Sequence, residues 1–454
     1  MTKASSTLAP EGMLPVLSAV EGGWDFLRGN RVTSIFRGGC VLLCCLVSWA
    51  VFGSFAPVAQ AQEGERERIL ENFFLYRDRP LQVEGIQPGL KLDATNAAVA
   101  SAVLPPEILT YLAAGDFSIT VQETTDLPLR QAFIDATLQH YRGVVVGEGE
   151  LQNYVAGQPF PVLQADDPQA GLKAVWNLRY RDQGDDAQMW ATNSLVNSNG
   201  NTERSQTFAF FSLYGMHRPD SAKNLPQWEK QGIYTKQYTR MLAPADSEGN
   251  QILAVQPDND FLPHDQWAYD PETRRTRKIV YMPYISPGRG VVLIEDRSGF
   301  LGYIHAYDWK YLREQTVLTP GPIRASAPTW GGRGNWYPVD PWELRRAVVV
   351  EATPKISHPL YSKRILYIDV QTSLPLFAFT YDHEGQHKRS FLVVARHPEF
   401  NPWGNKDWVA QIAAQGSIDY QLERANNFQI TKILLNRDLP PSQFTVMTLM
   451  LRGK

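Results

Sequence analysis

The sequence predicts an α+β protein. One large curved antiparallel sheet with covering helices follows a helical N-terminal region. Three observations predict it. Apolar residues recur at helical spacing up to about residue 150, and at a spacing of two after about residue 171. The strand-like runs are separated by turn chemistry, without the crossover helices that a parallel sheet needs. The 12 Trp, 19 Tyr and 20 Phe supply flat rings, which suit pleated surfaces and apolar cavities.

The first 61 residues read as a leader. Arg28, Arg31 and Arg37 precede the apolar stretch 40–56, and Ala59-Gln60-Ala61 follows as a small-residue exit. These are the parts of a secretory signal peptide, with cleavage expected after Ala61. A retained anchor is the alternative, but the apolar run is short of the ~20 residues of a membrane span. The n-region is long, which leaves Met13 as an alternative start. Cys40, Cys44 and Cys45 all lie in this leader, none of them in a lipid-attachment context. The expected mature chain therefore has no disulfide, thiolate nucleophile or Cys-ligated metal.

From 62 to 165 we expect a helical region and a joint. Residues 63–78 place Ile69, Phe73 and Leu75 near one face. Residues 104–117 open on prolines suited to a first helical turn and end near Gly115. Residues 127–143 space Phe133, Ala136 and Leu138 as an amphipathic helix ending at Gly143. The polar, proline-bearing stretch 157–171 is the joint. From 166 to 454 we expect the antiparallel β-domain with a C-terminal extension. Residues 173–180, 206–215, 265–283, 344–354, 363–370, 375–382 and 389–397 read as strands. Asp270-Pro271 suits a type I turn between two of them. Residues 405–430 read as a short helix and a final strand.

The string His383-Glu384-Gly385-Gln386-His387 fits H-E-x-x-H, a zinc-hydrolase signature. That chemistry needs both histidines on one helix, one turn apart, facing a single ion. The flanks, 376–381 and 388–395, are β-branched and aromatic. Gly385 costs about 1 kcal/mol in a helix relative to Ala. Asp382 and Gly385 instead occupy the favoured ends of a type I turn. The segment is expected to be a hairpin tip, with His383 at its apex and His387 on the return strand. The Gly-rich stretches 287–292 and 331–336 match no nucleotide-binding pattern and read as loops. No catalytic residue, metal or cofactor is assigned, and a metal-dependent hydrolase is kept only as an alternative.

Charge points to no polyanionic partner. The chain has 44 basic and 47 acidic residues, of which four and three precede residue 62, leaving a mature net charge of −4. Nucleic acid is excluded as a partner on this balance. The basic run 272–278, with Arg274 and Arg275, reads as a solvated hairpin face, or alternatively as a docking patch.

Aromatic residues that share a strand face are the remaining signal. Phe208 with Phe210, Tyr307 with Trp309, and Phe377 with Phe379 each point to one side of a strand. Together with Trp267 and Phe391 they are the candidate lining of an apolar cavity. The alternative is ordinary core between sheet and helices.

Four stretches, 104–119, 154–181, 265–279 and 361–386, resemble the DUF 1329 family of secreted Gram-negative bacterial proteins. The resemblance spans about 85–450. The family is considered similar to the LolA/LolB-type lipoprotein carriers, so the resemblance implies a half-open β-barrel covered by helices. It further implies a periplasmic, non-catalytic carrier of a lipid, a lipoprotein acyl chain or another hydrophobic molecule. Outer-membrane or RND-type exporter components are the partners it implies, and an accessory role in such an assembly is the alternative function. The family offers no catalytic residues to carry over. Only the extended N-terminus departs from its pattern.

Overall fold

In the computed structural model, thirteen strands form one antiparallel, curved, unclosed sheet. Described residues are 63–286, 290–404 and 406–452. The expected signal peptide and its cleavage point lie outside them. In chain order the strands are β1 (Asp186–Asn197), β2 (Thr202–Tyr214), β3 (Ile233–Ala243), β4 (Gln251–Pro257), β5 (Asp265–Asp270) and β6 (Arg275–Val280). Then follow β7 (Tyr307–Pro320), β8 (Trp342–Pro354), β9 (Lys363–Asp369), β10 (Pro375–Tyr381), β11 (His387–Arg396), β12 (Gln411–Asp419) and β13 (Arg424–Leu435).

Their spatial order is β6-β5-β4-β3-β2-β1-β13-β12-β11-β10-β9-β8-β7. The chain starts mid-sheet at β1 and meanders to one edge at β6. It then crosses to the far edge at β7 and meanders back until β13 pairs with β1. The two edge strands are thus consecutive in sequence and unpaired with each other. The sheet is an up-and-down barrel opened between β6 and β7, and residues 281–306 cross between these edges.

Pairing alternation sorts the sheet into two faces. The inner face carries Trp309, Ala352, Leu366, Ala378 and Phe391, and continues through Ser417 and Asn426 to Phe428, Met189, Phe210, Ile252 and Gln266. Over β7–β11 this face is covered by α4 (Ala170–Arg179) and residues 300–304, forming a dense core around Trp176, Trp309 and Phe391. The outer face is covered over β8–β11 by residues 86–121 with α2 (Pro106–Ala113), which pack on Trp342, Phe377 and Phe379. Over β2–β5 it is covered by the short helices α5 (Pro226–Lys230) and α6 (Val446–Arg452), against Tyr238 and Tyr269.

Two sequence-based expectations are corrected. Residues 173–179 of the stretch 173–180, read as a strand, belong to α4. Its buried Ala170, Ala174, Val175 and Leu178 follow helical spacing, and Val175 and Trp176 disguised it. Residues 405–430, read as a short helix and a final strand, contain β12 and the start of β13, two strands of one hairpin. The N-terminal region has the expected helices α1 (63–73), α2 and α3 (Gln131–His140). It also holds short strand pairs, Lys91–Leu92 with Ile119–Thr120 and Val145–Val146 with Leu151–Gln152. Hydrogen bonds from a buried charged cluster of the sheet fix this region to it. Arg345 of β8 bonds Glu343, Asp369, the Thr125 carbonyl and Gln371, and Gln371 Nε2 donates to the Phe73 carbonyl at 3.0 Å.

Candidate functional site

An inner-face cavity of about 350 Å³ lies between β1–β5, β12–β13 and part of the 281–306 crossing. Its volume falls in the range of ordinary small-molecule sites. Strand alternation aims Met189, Phe208, Phe210, Met241, Ile252, Phe428 and Ile430 into it. Leu293, Ile294, Leu374 and Ile412 add to the apolar wall. Amide side chains from Asn193, Gln206, Gln237, Asn250, Gln266 and Gln411 form the polar part. Asn193 Oδ1 and Gln411 Nε2 are buried there without a hydrogen-bond partner in the structure.

The wall contributed by residues 291–299 is held by side chains of the sheet. Val291 N–H donates to Asn426 Oδ1 at 2.7 Å, Gly299 N–H to Gln415 Oε1 at 3.0 Å, and Gln415 Nε2 to the Asp296 carbonyl at 3.0 Å. Arg364 Nη2 binds both Glu295 Oε1 at 2.9 Å and Asp296 Oδ1 at 2.7 Å. Tyr307 and Tyr361 donate their hydroxyls to Glu295 and Asp296, and Arg389 binds Asp419 at 2.7 Å. Burial alone would raise the Glu295 carboxyl, but His358 at 3.0 Å and Arg364 outweigh it and hold it below the usual glutamate range. Residues 291–299 of the crossing are therefore a fixed strap, bonded to β9, β11, β12 and β13, that leaves open space between itself and β1–β4.

The eight aromatic residues singled out in the sequence do not share one cavity. Phe208 and Phe210 line it. Tyr307, Trp309 and Phe391 share the inner face but lie in the packed core under α4, where Trp309 Nε1 donates to the Ile304 carbonyl at 2.8 Å. Phe377 and Phe379 stack on each other on the outer face, beneath the N-terminal region. Trp267 lies on the outer face as well, with Lys278 Nζ 5.5 Å from its ring. Sequence reasoning missed Met189, Phe428 and the strap. The strap's signal was the apolar run 291–294 followed by Glu295-Asp296-Arg297, which begins at the end of the stretch 287–292 read as a glycine-rich loop.

The H-E-x-x-H string is a hairpin tip between β10 and β11. Asp382 N–H donates to the Gln386 carbonyl at 2.9 Å and Gly385 has φ +78°. His383 is exposed and its Nε2 meets the His358 carbonyl at 2.9 Å. His387 sits on the return strand among Tyr111, Phe379, Tyr381 and Tyr420, and burial lowers its pKa. The two rings are turned to different surroundings, and the helix that zinc hydrolysis requires here is absent. Among the described residues no cluster of three or more His, Cys, Asp or Glu could hold a metal.

Residues 91–434 match the family described as "Protein of unknown function (DUF1329)". The chain belongs to the DUF1329 family. No curated protein matches it. Among solved structures it is similar to a DUF1329 family protein from Desulfovibrio piger, at 17% identity and a TM-score of 0.45, over 63% of this chain and 99% of the other. It is also similar to a LolA superfamily protein from Nitrosomonas europaea, at 14% identity and a TM-score of 0.36, over 62% of this chain and 98% of the other. In this DUF1329 chain the family match ends within β13, at residue 434, so it spans all thirteen strands and the strap.

Proposed function

We propose that this DUF1329 protein is a non-catalytic periplasmic carrier that holds a lipid, an acyl chain or another hydrophobic molecule in the strap-bounded cavity. The observation that carries the reading is the cavity itself. A barrel core of this kind is usually filled by side chains, yet here one half of the inner face is solid and the other half is open and lined by Phe, Met and Ile. Binding would be driven by apolar area removed from water, about 0.8 kcal/mol for each buried methylene. The leader read in residues 1–61 supports the compartment. The LolA superfamily neighbour is in keeping with the reading and is not what it rests on.

The test is mass spectrometry of lipid extracted from protein purified from the periplasm. A hydrophobic molecule near one per chain is expected. Ala254→Trp, which would fill the cavity from β4, should remove it while the protein stays folded. A wild-type protein that carries nothing and binds no added lipid would end the reading.

A second element of the proposal concerns release. The β5–β6 hairpin is exposed, basic at Arg274, Arg275 and Arg277, and stands at the open sheet edge. It is the proposed contact for an outer-membrane or exporter component. Reversing Arg274 and Arg275 to Glu should abolish capture of that component. Undiminished capture would rule the hairpin out.

A further inference from the structure

Five arginines that are buried or nearly so are paired with carboxylates, whereas the fully buried Arg396 donates to the carbonyls of Ala325, Ser326 and Ile430. Arg130, Arg179, Arg345, Arg364 and Arg389 each meet a carboxylate within 3.1 Å. Arg297, on the strap, differs. It lines the cavity, and its guanidinium lies 5.2 Å from the centre of the Phe210 ring, within cation–π reach. Among the described residues it has neither a carboxylate nor a carbonyl acceptor. A second cavity arginine, Arg181, donates Nη1 to the Leu178 carbonyl at 2.7 Å and likewise has no carboxylate partner among them. The single acidic side chain on the described lining, Asp182, is bound by Arg130 at 2.6 Å. Burial pulls both Arg181 and Arg297 below the usual arginine pKa, yet a guanidinium in a protein stays charged.

A charge beside apolar walls with no carboxylate opposite it is costly, and the half-buried Arg297 turns guanidinium N–H donors that no described protein group takes up toward the cavity. An anion brought by the ligand would supply both the charge and the acceptors. We propose that the cavity takes a single-chain amphiphile whose oxyanion headgroup, a carboxylate or a phosphate, is received by Arg297, while its acyl chain lies along Phe208, Phe210 and Phe428. Arg181 supplies the second positive charge of the same cavity. The strap then has two roles. Glu295 and Asp296 fix it to the sheet, and the next residue, Arg297, presents the headgroup site. This inference rests on the carrier reading above and narrows its ligand class.

The experiment compares matched ligands on delipidated full-length protein, each below its aggregation concentration. Oleate is set against methyl oleate, and oleoyl lysophosphatidate against monoolein. At least one anion should bind about tenfold or more tighter than its neutral partner, as expected for charge-assisted hydrogen bonds. Whichever pair differs identifies the headgroup. Arg297→Gln should abolish that ratio by weakening the anion of the pair. Arg297→Lys, which keeps the charge without the fork, should retain part of it. Equal binding within both pairs by the wild-type protein would overturn the anion site and leave the carrier reading standing. Binding of none of the four would overturn both. A ratio that survives in a folded Arg297→Gln protein would remove Arg297 from the role.

Discussion

Arg364 shows how single residues set the geometry of the site. Its guanidinium is fully buried and bonds both acids of the strap. Removing one partner of such a network leaves uncompensated buried charge, which costs about 3–5 kcal/mol. Arg364→Ala should lower unfolding stability by that amount in urea titrations. A change under about 1 kcal/mol would mean that the strap is held by its backbone contacts alone. Glu295 gives the pH dependence. Its folded carboxyl is held below the unfolded value of 4.5. Such a group contributes stability that is fully present above that value and is lost as pH falls through the lower folded pKa. The melting temperature should therefore drop on acidification below about pH 4.5, and Glu295→Gln should flatten that drop. An unchanged acid limb in the variant would place the acid sensitivity elsewhere. Little of this was legible in the sequence. Glu295, Asp296, Arg364 and Arg389 are far apart in the chain, and charged residues ordinarily read as surface.

At the scale of elements, the strands dense in β-branched and aromatic residues were legible, and the exceptions have physical causes. Residues 344–354 and 375–382 read correctly because β-branched and aromatic residues crowd both faces. α4 was misread because its Trp and Val suit a strand as well as a buried helix. Its position also depends on Gly171. A Cβ there would come 2.6 Å from the backbone of Lys310 and Tyr311 in β7. Helix propensity favours alanine over glycine by about 1 kcal/mol, but overpacking against rigid backbone costs about 1–3 kcal/mol. The clash should win, so Gly171→Ala should lower the melting temperature. A rise would show that α4 can move away from the edge strand. This close fit also covers the inner face beside β7, where an open barrel would otherwise expose Trp309.

At the scale of the whole molecule, the notable feature is a barrel opened between consecutive strands, whose crossing segment folds inward and is tied to the opposite wall. A ligand held between strap and sheet stabilises only the folded chain. At a free concentration one hundred times its Kd it adds about 2.7 kcal/mol. For a chain of this length that is a rise of about 3 °C in the melting temperature. Delipidated protein given back its extracted lipid should show such a rise, and Ala254→Trp should not. An equal rise in both would place the lipid outside the cavity.

The sequence by itself determined the strand-rich architecture, its antiparallel character, the hairpin at 382–385 and the family. These follow from local spacing and turn chemistry, which each segment carries alone. It did not determine which aromatic face encloses a space. Both faces of β8–β11 are buried, so alternation marks two apolar rows and does not distinguish them. The tertiary structure decided that Phe377 and Phe379 pack under the N-terminal region, that α4 fills half of the inner face, and that the strap leaves the other half open. The reason is that a cavity is a property of what fails to cover a surface. That depends on segments remote in sequence, brought together here by buried ion pairs that no local pattern records.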